Sequence, residues 1–220
     1  MIIPVSYPLS TGSPLYPGTP GTKVLPNRSI ADGSSANTSI LSFSSHAGTH
    51  VDVPRHFCPN GKTVRDLLAA VTRYSPAYCV ELPSSPARGI AAADLAGSLE
   101  GIHDAEAILI RTGSGRLRAS DPGAYAAMHP RVLADVAGLL RNRCPRIRLM
   151  GIDSISISSP AHRDEGRESH RAFLCDPHTI CLLEDADLSG VVPGKVYTLI
   201  LMPWFADVPD GVPVTAILTD

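Results

Sequence analysis

Three histidines and an aspartate fall within one run of eleven residues, His46-Ala-Gly-Thr-His50-Val-Asp52-Val-Pro54-Arg-His56. In an extended backbone successive side chains point to opposite faces. His50, Asp52 and His56 then share one face, with Pro54 between them, while Val51 and Val53 form an apolar backing. Gly48 permits a close turn that brings His46 to the same point. Imidazole nitrogen and carboxylate oxygen are the usual ligands of zinc, and they suit manganese or iron as well. A lone histidine here would be read as a satisfied polar residue on a half-exposed strand. Four ligand-type residues phased onto one face are read as a metal site.

Such a site has a definite chemistry. A divalent ion lowers the pKa of bound water from about 16 towards 7, which makes hydroxide available at neutral pH. Attack on a carbonyl carbon follows, with the metal and nearby donors stabilising the oxyanion. A histidine titrating near the working pH can take the water proton and pass it to a departing nitrogen. That pairing suits an amide, formamide or lactam and needs no organic cofactor. Further ligands must come from elsewhere in the chain. His170 or His178 could serve, and Glu184 or Asp185; Glu184 ends an apolar strand, which brings a carboxylate to a sheet edge.

The elements that must position these groups are short, because 20 prolines and 18 glycines punctuate the 220 residues. Residues 1–36 are rich in Pro, Gly and Ser, with turn signals at Pro17-Gly18 and Pro20-Gly21. They are expected to form an extended arm with little core of its own, lying against this chain or a neighbouring subunit. Strand-like runs are Thr38 to Phe43, Ala77 to Leu82, Ala107 to Thr112, Ile147 to Ile152, Thr179 to Glu184, Lys195 to Met202 and Val214 to Thr219. Helical spacing marks Thr63 to Val71, Ala91 to Leu99 and Arg131 to Arg141. In the last, Val132, Val136, Leu139 and Leu140 make one stripe after Pro130. This pattern predicts one mixed α/β domain over residues 1–220, without repeats or a linker.

Composition narrows the function classes. Apolar residues make up 44% and charged residues 18%, as in ordinary soluble globular proteins. The net charge is −2 with no basic stripe, which argues against nucleic acid. The longest apolar runs, such as Val196 to Pro203, are too short to span a bilayer. The N-terminus has neither a basic nor a long apolar region, so no secretory signal is expected. Cys58, Cys79, Cys144, Cys175 and Cys181 are scattered without a C-x-x-C pair. No disulfide framework is expected from that spacing, Cys79 and Cys181 read as small core residues, and the cytoplasm is the expected compartment. Cys58 lacks an oriented base that would make it a nucleophile. Gly113-Ser114-Gly115 completes neither a serine-hydrolase nor a dinucleotide-binding motif. His103, His129 and His162 are expected at the surface, and Trp204 and Phe205 in a core or an interface. Arg111 and Asp153, each ending a strand-like run, are expected either to support the metal ligands or to pair internally.

The eleven-residue run resembles the H-x-G-T-H-x-D-x-P-x-H signature of the cyclase family of metal-dependent hydrolases, which includes bacterial kynurenine formamidase and isatin hydrolase. Weaker echoes are Tyr16-Pro17-Gly18, Asn37, Leu109-Ile-Arg-Thr-Gly113, Gly151-Ile-Asp153 and the segment from His170 to Glu184. The resemblance implies a single domain of the swivelling β/β/α type holding one or two divalent ions, zinc ahead of manganese. By matching position, His46, His50 and Asp52 hold the first ion and Asp52 bridges to a second. His170 binds that second ion, Glu184 bridges both, and His56 is the general acid/base. Tyr16 falls where formamidase relatives often carry a Trp lining the substrate pocket. The spacing from His170 to Glu184 is longer than the family pattern, so Asp176-Pro177-His178 is read as a lengthened turn, with His178 the rival ligand. The implied activity is hydrolysis of the C–N bond of a formamide or amide in a small carbonyl compound. Opening of a cyclic amide and a cyclase or dehydratase reaction are the alternatives, and a closed structural metal site is the non-enzymatic one. The resemblance also implies a homodimer or higher homo-oligomer, with the arm crossing the interface.

Overall fold

The structure, a computed structural model, describes residues 1–68, 71–84, 88–204 and 207–220. Two apolar runs set its centre. β6 (Ala107–Arg111) and β7 (Leu149–Ile152) are almost wholly buried and pair in parallel, as strands covered on both faces do. β5 (Thr72–Glu81) and β8 (Cys181–Glu184) extend this parallel set on either side. The antiparallel strands are β1 (Ile2–Pro4), β4 (His50–Asp52), β9 (Val196–Pro203) and β10 (Gly211–Thr219).

The eight strands run in the order β1-β10-β4-β8-β7-β6-β5-β9, and β9 pairs back onto β10. β10 makes the closure by changing partners along its length. Residues 211–213 pair with β4, and residues 214–219 pair with β9. The result is a closed barrel with β1 along the far end of β10. Inward positions alternate with outward ones along each strand. Val51, Cys79, Leu109, Leu149, Leu183, Leu199 and Val212 belong to the inner cluster. Val80, Ile108, Ile110, Met150, Ile152 and Leu182 point outward, onto the helices.

The helices are α1 (Val64–Leu67), α2 (Ala92–Ala96), α3 (Gly115–Ser120), α4 (Pro122–Ala127), α5 (Asp135–Arg143) and α6 (Arg163–Leu174). Leu95 of α2, Val136 and Leu140 of α5 and Phe173 of α6 cover the outer face of the parallel strands. The mixed α/β class expected from the sequence is the one observed.

Several boundaries differ from expectation. The predicted helix over 131–141 begins only at Asp135, because Val132 bridges Ile90 and the Leu133 amide donates to the Ile90 carbonyl. The predicted helix over 63–71 is a single turn, Val64–Leu67, and residues 69–70 lie outside the described set. The arm is less idle than its composition implies. Ile2–Pro4 adds a strand to the barrel, Val5 is fully buried in the inner cluster, and β2 (Lys23–Arg28) pairs with β3 (Thr38–Ser42) in an exposed hairpin.

The cysteine reading also needs correction. Cys58 and Cys175 form a disulfide with a Cα–Cα distance of 5.7 Å across 117 residues of sequence. A bridge over that separation leaves no spacing pattern to read, and it removes the cysteine argument for a reducing compartment. Cys79, Cys144 and Cys181 are free and buried.

Candidate metal centre

The pleat of β4 sends Val51 into the barrel and His50 and Asp52 outward, as the alternation predicts. Beyond Asp52 the chain leaves the strand. Pro54–His56 forms a 3-10 turn, so His56 reaches the site by a tight turn and not by the extended run first expected. Gly48 has φ +65°, a left-handed turn that swings His46 back over the strand. β8 lies antiparallel to β4, with Glu184 directly opposite His50. α6 crosses above, and its His170 is buried against the same point.

Three of the four imidazoles, those of His46, His50 and His170, are held by one nitrogen, leaving the other to face the site. His50 donates from Nδ1 to the Gly48 carbonyl at 2.8 Å, and His170 from Nδ1 to the Gly166 carbonyl at 2.7 Å. His46 is held instead through Nε2, 2.9 Å from Asp210 Oδ2, which leaves Nδ1 2.8 Å from Asp52 Oδ1. Such outer partners orient metal-binding imidazoles. Gly211 lies under the His46 ring, where a Cβ would stand 2.5 Å from Cε1, so only glycine fits. Glu184 Oε1 accepts from the Ile157 amide at 2.7 Å and the Ser156 hydroxyl at 3.0 Å.

The facing atoms converge on Asp52 and Glu184. His50 Nε2 lies 3.4 Å from Asp52 Oδ1 and 3.5 Å from Glu184 Oε2. His170 Nε2 lies 3.6 Å from Asp52 Oδ2 and 3.6 Å from Glu184 Oε1. His56 Nε2 stands farther off, 3.9 Å from Asp52 Oδ2, with its ring stacked on His46 at 4.0 Å between centroids. Phe57 stacks on His170 and meets His56 edge-on, both at 4.5 Å.

These residues fit a divalent cation. Asp52 Oδ2 is buried without a hydrogen-bond partner, a costly arrangement for a carboxylate oxygen unless a cation meets it. The separations of 3.4 to 3.6 Å are long for hydrogen bonds. They match the edge of a tetrahedron of ligands about 2.1 Å from a shared zinc, which is about 3.4 Å. The donor atoms of His50, Asp52 and Glu184 all lie within 4.8 Å of one another, as do those of His46, Asp52 and His56.

The electrostatics agree. Burial pushes His46 down, but Asp52 and Asp210 outweigh it and raise its pKa to about 9. Burial likewise opposes protonation of His170, yet hydrogen bonds to Asp52 and Glu184 raise it to about 10. Glu184 is pushed up by burial and by Asp52, but His170 and His50 bring it down to about 2. Buried carboxylates are thus drawing protons onto the ring nitrogens where they would otherwise hold a metal. His56 behaves differently. Burial lowers it below the ordinary 6.5, Asp52 offsets only part of that, and His46 and His170 add repulsion.

A cavity of about 350 Å³ opens over this cluster, lined also by Tyr16, Phe57, Ser156 and Ser158. The structure therefore brings together His46, His50, Asp52, His56, His170 and Glu184, and places Tyr16 of the same chain on the cavity wall, its hydroxyl 3.4 Å from Ser158 Oγ. It does not bring His178, whose Nε2 is bound to the Ile147 carbonyl at 2.7 Å. Asp185 turns the other way, into a buried pair with Arg118 and Tyr125. Arg111 pairs with Glu81, while Asp153 accepts from the amides of Thr112 and Gly113, so neither touches the cluster nor the other. His129, expected at the surface, is only 1% exposed and bonded to the Ser158 carbonyl. Trp204 packs its ring on Phe43 and is 52% exposed, and Phe205 lies outside the described residues. Asp210 was missed entirely: it stands in the turn before β10, 164 residues from His46, with no motif around it.

Known proteins share this arrangement of chain. The sequence is 33% identical over 217 residues to kynurenine formamidase of Bacillus mycoides (strain KBAB4), covering 98% of this chain and 96% of that protein. Isatin hydrolase A from Labrenzia aggregata superposes with a TM-score of 0.78 at 20% identity, over 99% of this chain and 93% of that one. A potential metal-dependent hydrolase with cyclase activity gives 0.74 at 20% identity, over 100% and 98%. At those identities the two structures speak for the fold. Residues 3–159 match the Cyclase family, and with the full-length formamidase likeness this is decisive: the chain is a member of the Cyclase family.

Proposed function

We propose that the protein is a metal-dependent amidohydrolase cleaving the C–N bond of a formamide or amide in a small carbonyl compound. The observation that carries this is the contrast between His56 and the other imidazoles. Three rings are locked by their far nitrogens and drawn towards protonation by Asp52, Asp210 and Glu184; His56 is set apart, half-buried and neutral. The likeness to kynurenine formamidases along 98% of the chain supports the same reading.

His46, His50, Asp52, His170 and Glu184 would hold the cation; one oxygen each of Asp52 and Glu184 faces His50, and the other of each faces His170. When bound, a divalent ion supplies Lewis acidity to water and to the carbonyl oxygen. The neutral Nε2 of His56 takes a proton from water at the cavity floor and returns it to the leaving nitrogen. Phe57 packs edge-on against that ring, and Tyr16 lines the same cavity. Zinc leads on the mixed nitrogen and oxygen donor set, with manganese second. The cation is one or two per chain.

The hairpin that pairs β2 of the Pro/Gly-rich arm with β3 supports a homo-oligomer, since it leaves Val24, Leu25, Ile40 and Leu41 about half exposed, and a second copy would cover them. Among the described residues no helix is long and apolar enough to cross a membrane. The Cys58–Cys175 disulfide removes the cysteine ground on which the cytoplasm was expected, since such bridges persist in oxidising surroundings. The test is an assay of zinc- and manganese-loaded protein on formanilide and on isatin. Release of formate or ring opening supports the reading; inertness towards both, with metal bound, would sink it.

A further inference from the structure

Past Glu184 the chain turns through Asp185, whose φ of +53° is the only positive value outside glycine among the described residues. A left-handed backbone at a residue with a Cβ persists only where its surroundings hold it there. Arg118 of α3 donates from Nε to Asp185 Oδ1 and from Nη2 to Oδ2, both at 2.8 Å. The Tyr125 hydroxyl of α4 donates to Oδ1 at 2.6 Å. The pair is shut off from water, with side chains 12% and 1% exposed, and the Tyr7 ring covers the guanidinium at 3.8 Å. None of these four residues lines the cavity over the metal centre.

The backbone of Asp185 joins the two supports of Glu184. Its carbonyl accepts from the Thr49 hydroxyl at 2.5 Å, so the neighbours of the cross-strand partners His50 and Glu184 are bonded as well. That hydroxyl in turn accepts from the Tyr7 amide at 2.9 Å. On the other side the Asp185 amide donates to the Ser154 carbonyl at 2.8 Å. Ser154 opens the loop whose Ser156 hydroxyl and Ile157 amide both donate to Glu184 Oε1. The start of β4 and the 154–157 loop are thus both tied to one left-handed residue. A buried ion pair is a weak source of net stability, because desolvation offsets its attraction. What it supplies is direction, since a planar fork closing on two carboxylate oxygens admits a narrow range of orientations.

We propose that Arg118 and Asp185 are positioning residues of the metal centre: their two-pronged pair holds the turn after β8 and so aims the Glu184 carboxylate and the His50 ring at one cation. The inference rests on the amidohydrolase reading only for the presence of a metal.

The test is zinc affinity, read by competition with a chelator, beside the melting midpoint of the metal-free protein. Arg118→Lys keeps a charge against Asp185 but lacks the fork. Arg118→Met/Asp185→Asn removes both charges, so no buried ion is left unpaired, and asparagine accepts the left-handed backbone. Each should stay folded and bind zinc about tenfold more weakly, the lower end of what outer partners of a metal site contribute. Arg111→Gln, which breaks the pair with Glu81 away from the cluster, should leave the affinity unmoved. Wild-type affinity in both folded variants, an equal loss in Arg111→Gln, or loss of the metal-free fold in both would make the pair merely structural and overturn the proposal. Wild-type protein that binds no zinc overturns it too. Inertness of zinc-loaded wild type towards formanilide and isatin sinks the amidohydrolase reading alone and leaves the affinity comparison standing.

Discussion

His50 and Glu184 are cross-strand partners in the β4–β8 pair, with Nε2 and Oε2 3.5 Å apart on the outer face of the barrel. Two residues far apart in sequence are thus set in register by the backbone ladder, and Asp52 follows two positions on. His50→Ala and Asp52→Ala should each lower zinc content sharply in purified protein, with Asp52→Ala the more severe because both its oxygens face imidazoles. Glu184→Gln should weaken binding too, while His178→Ala should not. Metal analysis of the four variants decides it, and normal occupancy in the first two would remove the assignment.

Asp210 offers a sharper check because it touches His46 without lining the cavity. It holds His46 Nε2 and is held by the Ser45 hydroxyl at 3.1 Å. Asp210→Asn should weaken zinc affinity by about 10- to 100-fold, the usual range for an outer partner of a metal-bound histidine. Competition with a chelator measures this directly.

His56→Ala should retain most of its metal and lose about 10²- to 10⁴-fold in turnover, the typical share of general acid/base catalysis. Because burial lowers its pKa, the acid limb of the pH–rate profile should lie below 6.5. Metal lost in step with activity would make His56 a ligand instead.

The metal-free protein should show its own pH signature. His46 and His170 have pKa values raised from 6.5 to about 9 and about 10, so their stabilisation is complete below 6.5 and lost as pH rises through those values. Glu184 is lowered from 4.5 to about 2, so its contribution is complete above 4.5 and lost as pH falls towards 2. These groups together favour the metal-free fold most between pH 4.5 and 6.5. Zinc must displace the ring protons, so its affinity should rise with pH, and at pH 7 binding should release protons. Calorimetry in two buffers of different ionisation enthalpy measures that release; its absence would mean the imidazoles are already neutral.

The Cys58–Cys175 bridge ties the turn carrying His56 to the end of the helix carrying His170. A bridge spanning 117 residues should contribute about 2–4 kcal/mol. Cys58→Ser should therefore melt at lower temperature than wild type, and a reductant should lower the wild-type midpoint but leave the variant unmoved. Equal midpoints for oxidised and reduced wild type would show that the bridge adds nothing.

How much could be read beforehand depended on where each group kept its partners. His50 and Asp52 were legible because their spacing and their partners, Val51 and Val53, sit in one short run. β6 and β7 were legible as continuous apolar segments. α6 was not, because much of its buried face is built from Gly166, Ser169 and His170, which carry no apolar periodicity. Its acidic first turn, Asp164 and Glu165, and Arg171 in its last turn were the available signal. β1 escaped because three residues beside prolines and serines make no pattern until β10 pairs with them. Asp210 and the Cys58–Cys175 pair depend on contacts across more than a hundred residues, which only the closed barrel supplies.

The hairpin of β2 and β3 carries a consequence for how the protein is handled. Every residue of both strands is exposed, and a two-stranded ribbon on its own is marginal in water. If second copies supply the cover, as proposed, dilution removes it. The thermal midpoint would then climb with protein concentration by mass action, and a dilute enzyme assay and a concentrated metal titration would sample different assemblies of the same chain.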